Sequence, residues 1–348
     1  MNSKKLLLAF FISLSISSFA QRPDLSMIPY RKGDLWGYAT PEKRIIIKPA
    51  YEETNFFYEG FASVRKGTKY GYLNKAGNQV IPFQFFSAKR FRYGYTDNAK
   101  THGTDTVLFA GAVLSTNDIE RCIDTRGKRM TKCPAINEDN AVLNIKPMIV
   151  DSAVSSFSTL NKSETFDKVT AQYKLGGEET YYVAIKDNMY GVINNKFQKL
   201  VPFDYTNIEK LVIDNIPYLI ATKGDVKGIL NGDGFPIVEV ENSRLDQVKA
   251  SDGKDYFIVT KKGKTGLRNF TFQDLVDPVY SDIQYDAGGG FILTSKDNLK
   301  GAWFYNGKRL EPKYAGIQFI ANGNFVFIKS TDGKSGYINK DGVEFFED

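Results

Sequence analysis

The sequence predicts an all-β protein, a tandem array of repeats of about 35 residues. Each repeat is read as about three short antiparallel strands, stacked as an open superhelix or a propeller-like array. Glycine recurs at Gly37, Gly71, Gly191, Gly228, Gly266, Gly301 and Gly336, with neighbouring spacings of 34, 37, 38, 35 and 35 residues. Aromatic residues make up 14% of the chain, with 26 Phe and 20 Tyr, and such rings suit pleated, half-buried surfaces better than helices. The period is shorter than the roughly 40 to 45 residues of a four-stranded propeller blade, which favours three strands and an open stack.

The chain opens with Lys4 and Lys5, an apolar run of 11 residues from Leu6 to Ile16, and Ser18-Phe19-Ala20. This pattern predicts a cleaved export signal over residues 1–20. A spanning helix needs about 20 apolar residues, so the run is too short for an anchor, and no other stretch is apolar enough to span. Gln21 stands where a bacterial lipoprotein needs a cysteine. The expected product is exported, periplasmic or extracellular, with no membrane span after cleavage. Loss of Lys4 and Lys5 lowers the formal net charge from +6 to +4, too slight and too scattered for nucleic-acid binding.

Within a repeat, the third residue after the glycine is often asparagine: Asn74, Asn194, Asn231, Asn269 and Asn339. A second glycine often follows at the sixth position, as in Gly77, Gly234, Gly307 and Gly342. Asn bonds its own backbone and Gly accepts positive φ, so the segment predicts a hairpin turn. Apolar residues then lead into Pro82, Pro202, Pro278 and Pro312, and proline without an N–H marks a strand end or edge. Tyr51, Phe85, Tyr205, Tyr280 and Tyr314 follow, then a polar crossing, then alternating runs such as Phe61–Arg65 and Phe257–Lys261. The central glycine costs roughly 0.5 to 1 kcal/mol relative to alanine. Its recurrence therefore predicts a close approach by a ring or a neighbouring backbone, or a bulge.

Trp36-Gly37-Tyr38, Glu59 to Val64, Tyr70-Gly71-Tyr72-Leu73-Asn74 and Val80-Ile81-Pro82 resemble the WG-repeat family. The resemblance runs from about Tyr30 to Asp348 and is clearest in the first two units. In later units Tyr70, Tyr190, Lys227, Thr265, Lys300 or Ser335 takes the tryptophan position. The likeness implies a bacterial binding or scaffold repeat and brings no catalytic residues.

The expected organisation places WG-like repeats at 21–131, with an insertion near 94–112 read as a protruding loop. Residues 132–179 form a degenerate repeat or a junction, and repeats resume at 180–348. Arg121 to Gly127 imitates Gly71 to Gly77, with Arg121 in the glycine position. Phe345 and Phe346 follow closely on the last turn, so the final unit is expected to cap the stack or to be completed by another segment.

Cys122 and Cys133 are the two cysteines; in an exported protein they can close a short loop as a disulfide or stay as two free, half-buried thiols. The single histidine, His102, lies in the polar insertion beside Asp97 and Asp105 with no nucleophile motif. No metal site and no cofactor are expected. Asn231-Gly232-Asp233-Gly234 reads as a turn, not a calcium loop, and Asp286-Ala287-Gly288-Gly289-Gly290 as a flexible connection. Trp36, Tyr38, Tyr70, Tyr72 and Trp303 are the candidates for an exposed binding platform, although rings at one repeat position are more often core. The expected function is non-enzymatic binding or scaffolding, with a protein partner first and a glycan second. A glycan hydrolase working through a carboxylate pair is the alternative.

Overall fold

The computed structural model describes residues 22–98, 103–136, 166–174 and 180–348. Residues 1–20, expected to be an export signal, His102 and most of 132–179 lie outside them. The described residues are all-β, arranged as small antiparallel sheets in tandem. The chain divides into two compact units. One comprises Met1–Pro29 and Leu35–Lys146, the other Tyr30–Asp34 and Pro147–Asp348.

In the first unit, strand Leu35–Ala39 pairs with Ile45–Tyr51. Next comes a four-stranded sheet of Glu53–Thr54, Phe61–Lys66, Lys69–Asn74 and Gln79–Phe85. The insertion expected as a loop is instead a hairpin, with Arg92–Asn98 paired along Gly103–Val113 from Gly103↔Asn98 to Phe109↔Arg92. Its threonines, tyrosines and Val107 favour extended backbone, so polarity misled the loop reading.

The second unit holds four sheets of four strands and one of three. The first runs Lys168–Lys174, Thr180–Lys186, Met189–Asn194, Lys199–Tyr205, so its opening strand lies in the stretch expected to be degenerate. The count of three strands per repeat is corrected to four here. Segments read as polar crossings, Asn207–Ile213, Arg244–Lys249 and Asp282–Asp286, are strands that pair with the run after them. Polar and charged residues such as Glu209, Lys210, Asp246, Gln247 and Gln284 are exposed on these strands, although each ladder is complete. The last sheet, Gly316–Ile320, Phe325–Lys329 and Ser335–Asn339, keeps three strands. The chain after it leaves that sheet: Phe346 and Glu347 pair in parallel with Arg31 and Lys32.

The recurring glycine faces a bulge. Tyr70 pairs with Phe85 and Tyr72 with Ile81, so one glycine opposes three residues, Pro82, Phe83 and Gln84. Thr265↔Tyr280 and Leu267↔Val276 repeat the arrangement around Gly266. A β-carbon on Gly71 would lie 2.7 Å from the Ile81 carbonyl oxygen, and one on Gly191 2.8 Å from that of Val201. Gly37, Gly228 and Gly301 meet the carbonyls of Ile47, Val238 and Leu310 in the same way, and Gly336 meets the Phe346 ring. Pro82, Pro202, Pro278 and Pro312 lie where the ladder is already broken, on edge strands, so the missing N–H costs no sheet bond.

The asparagine turns share one geometry. The Asn74 side-chain oxygen accepts from the N–H groups of Ala76 (3.1 Å) and Asn78 (3.0 Å). Asn231 does so from Asp233 and Phe235, and Asn339 from Asp341 and Val343. Asp124 bonds Arg126 and Lys128 identically, which makes Arg121–Gly127 a true repeat. Where the glycine is absent, Phe197 and Phe272 take positive φ in its place.

Apolar side chains fill the space between successive sheets. Tyr256, Ile258, Leu267 and Val276 of one sheet pack with Ile283, Phe291, Leu293 and Trp303 of the next. This face-to-face burial holds the array together.

Candidate functional site

Four hairpin turns of the second unit converge on a surface cleft of about 350 Å³, at the small end of the roughly 300 to 1,000 Å³ typical of ligand pockets. The first turn runs from Ala250 to Lys254, closed by Ala250 N–H donating to the Lys254 carbonyl (2.9 Å), with Gly253 at φ +84°. The second is the Phe304–Lys308 turn, which presents Tyr305 and Asn306. The third carries Asn322, Gly323 and Asn324, and the fourth begins at Lys340, whose N–H donates to the Asn324 carbonyl (2.9 Å). Asn306 ties the second turn to the fourth by donating to the Lys340 carbonyl at 2.9 Å.

Behind the cleft stands a tyrosine cluster. Tyr256 donates to Asp252 at 2.8 Å, and its ring stacks on Tyr305 with centroids 6.0 Å apart. The Tyr305 hydroxyl shares a hydrogen bond with Ser251 (3.1 Å), whose N–H donates to the Tyr285 hydroxyl (2.9 Å). Burial pushes the Tyr256 and Tyr305 phenols above their usual range, with Asp252 adding to the effect, so both stay protonated donors at neutral pH. Asp252 also accepts from the Lys254 N–H at 3.1 Å and is the lining's one carboxylate. The ammonium groups of Lys254 and Lys340 have no hydrogen-bond or ion-pair partner among the described residues.

The arrangement offers side-chain amides, a ring and cations. The turns themselves are legible as Ser251-Asp252-Gly253, Asn306-Gly307 and Asn322-Gly323, yet their convergence depends on how the sheets stack. The glycine run expected to be flexible is instead locked nearby. Gly288 N–H donates to the Asp286 carboxylate at 2.7 Å, and Gly323 N–H to the Gly288 carbonyl at 2.7 Å. Two hairpin tips touch there backbone to backbone, and only glycine allows the contact.

The platform candidates lie elsewhere. Trp36, Tyr38, Tyr72 and Trp303 are buried, and Tyr70 is half-buried. The Tyr38 hydroxyl donates to the Asn55 carbonyl (2.7 Å) and that of Tyr72 to the Lys89 carbonyl (2.8 Å). Both rings therefore link neighbouring strands inside the first unit. Trp303 packs edge-on against Tyr256 and Phe291 at 5.7 and 5.8 Å. Sequence reasoning missed Tyr93 and Tyr95, exposed side by side on one face of the hairpin, with the Gly94 between them packed under Phe109 and Pro134. Cys122 and Cys133 are joined as a disulfide with Cα atoms 5.3 Å apart. Among the described residues no group of three or more His, Cys, Asp or Glu could hold a metal ion. No helix among them is long and apolar enough to cross a membrane.

Fold and cleft together define a tandem β-repeat protein. Residues 36–70 and 70–97 match the WG containing repeat, and this stretch of the chain is built of WG repeats. No curated protein matches the chain. Among solved structures it is similar to Hsv2 of Kluyveromyces marxianus, at 12% identity and a TM-score of 0.25, over 48% of this chain and 60% of that one. The chain thus spans less than two thirds of Hsv2. It is also similar to the dihydro-heme d1 dehydrogenase NirN, at 12% identity and a TM-score of 0.29, over 94% of this chain and 75% of that one. A virginiamycin B lyase from Staphylococcus aureus matches at 12% identity and a TM-score of 0.22, over 91% and 96%. Likeness at this level carries no argument about function.

Proposed function

We propose that the chain is a non-enzymatic binding protein of the bacterial envelope or extracellular space, exported through its leader, whose cleft receives a glycan. The observation that carries the reading is the lining of the cleft: three asparagines and a tyrosine ring on rigid turns. The Asn306 and Asn324 amides donate to the Lys340 and Ala321 carbonyls, which leaves the Asn322 amide to bond a sugar hydroxyl in either direction, and an aromatic face covers the apolar side of a sugar ring. Hydrolysis of a glycosidic bond draws on a pair of carboxylates, whereas the cleft lining offers Asp252 alone, already engaged by Tyr256. The exposed pair Tyr93 and Tyr95 adds a second aromatic surface of the kind glycans use.

A protein partner is the second reading, favoured by exposed aliphatic residues at the same register shift on successive edge strands: Leu200, Ile237 and Leu275. Binding to immobilised envelope glycans decides between them. Saturable binding that Tyr305→Ala abolishes while Tyr305→Phe retains it supports the glycan reading. Binding indifferent to Tyr305→Ala, or absent, overturns it.

A further inference from the structure

We infer that the cleft selects an acidic saccharide, one that carries a carboxylate, over its neutral counterpart; this rests on the glycan reading above. Some lysines of the second unit are ion-paired: Lys223 with Asp204 at 2.8 Å, Lys249 with Asp255 at 3.1 Å, Lys334 with Asp348 at 3.3 Å, and Lys261 with Glu241. Lys254 and Lys340 both line the cleft, and both ammonium groups lack a partner among the described residues.

The acids nearby offset only part of their charge, and neither carboxylate pairs with either ammonium group. Asp252 accepts from the Tyr256 hydroxyl and the Lys254 backbone. Asp341 lies beside Asn306, with 3.3 Å between carboxylate and amide. The cleft itself therefore carries two cations against one occupied carboxylate. An anion entering it meets unspent donors on two separate turns, and the Asn322 amide remains for a hydroxyl, whereas Asn306 and Asn324 already donate to the Lys340 and Ala321 carbonyls. Two exposed cations also make the preference salt-sensitive, because the Debye length is about 8 Å at physiological ionic strength.

The test is titration calorimetry of the purified chain with tetragalacturonate and with its fully methyl-esterified form, which keeps the sugar backbone and removes the charge. Tighter binding of the free acid, lost about tenfold in Lys254→Ala/Lys340→Ala while the ester's affinity stays constant, supports the inference. Constant ester affinity also shows that the double variant is folded. Equal affinity for acid and ester overturns the selectivity and leaves the glycan reading standing. No binding of either overturns both.

Discussion

The carbonyl oxygen of Val276 stands 2.7 Å from the position a β-carbon on Gly266 would occupy. Pro278 lies against the same point, its nitrogen 3.0 Å away. Glycine is required because the facing edge strand bulges toward it, and backbone atoms cannot swing aside as a side chain can. Gly266→Val is expected to cost more than about 2 kcal/mol. Chemical denaturation reads this as a lower midpoint; an unchanged midpoint means that the strand can shift.

Arg31 is almost fully buried and spends its guanidinium on the Ser335 carbonyl (2.6 Å), the Gly33 carbonyl and the Asp348 carboxylate (2.8 Å). Arg31→Ala leaves two carbonyls short of donors and is expected to cost about 1–3 kcal/mol. Arg31 and Lys334 hold the Asp348 carboxyl below the usual carboxylate range. A depressed folded pKa stabilises above the unfolded value near 4, and that contribution is lost as pH falls through the folded value. Thermal midpoints of Asp348→Asn and the parent chain should therefore differ at pH 7 and converge at strongly acid pH. A difference that persists unchanged into acid would show that the carboxylate charge is not what matters.

Burial, reinforced by a hydrogen bond to Glu53, pushes the Tyr70 phenol up to about 12. The raised value means that its contribution is complete below the unfolded value near 10 and is lost as pH rises toward 12. Ultraviolet titration of Tyr70→Phe should lack one late phenolate step, and its stability should vary less with pH between about 10 and 12. Loss of an early step near 10 would contradict the burial argument.

The Cys122–Cys133 disulfide joins strand Arg121–Ile123 to the segment that bridges Tyr95 through Ala135, with reciprocal 2.8 Å backbone bonds. Replacing both cysteines by alanine is expected to cost roughly 2–3 kcal/mol. Hydrogen exchange should show the Tyr95 and Ala135 amides losing protection first. Protection that survives there would mean that the bridge stands without the disulfide.

Local chemistry explains what could be read early. Asn74, Asn231 and Asn339 announce turns because the bonds they make span two and four residues, and Pro82 and Pro278 announce irregular edges because an absent N–H is a property of one residue. Pairing defeated the rest. Asn207–Ile213 and Arg244–Lys249 reveal themselves as strands only against their partners, and Gly288-Gly289 looked flexible because the Gly323 hairpin that locks it is distant in sequence.

Sequence by itself determined the repeat, its glycine and asparagine positions and the all-β class, since each rests on interactions within about ten residues. Tertiary structure decided that Trp36, Tyr38, Tyr72 and Trp303 are core, that Cys122 and Cys133 are bonded, and that Lys254, Tyr305, Asn322 and Lys340 share one cleft. The cleft residues come from three different sheets, and only the stacking that buries apolar faces between sheets brings their turns together.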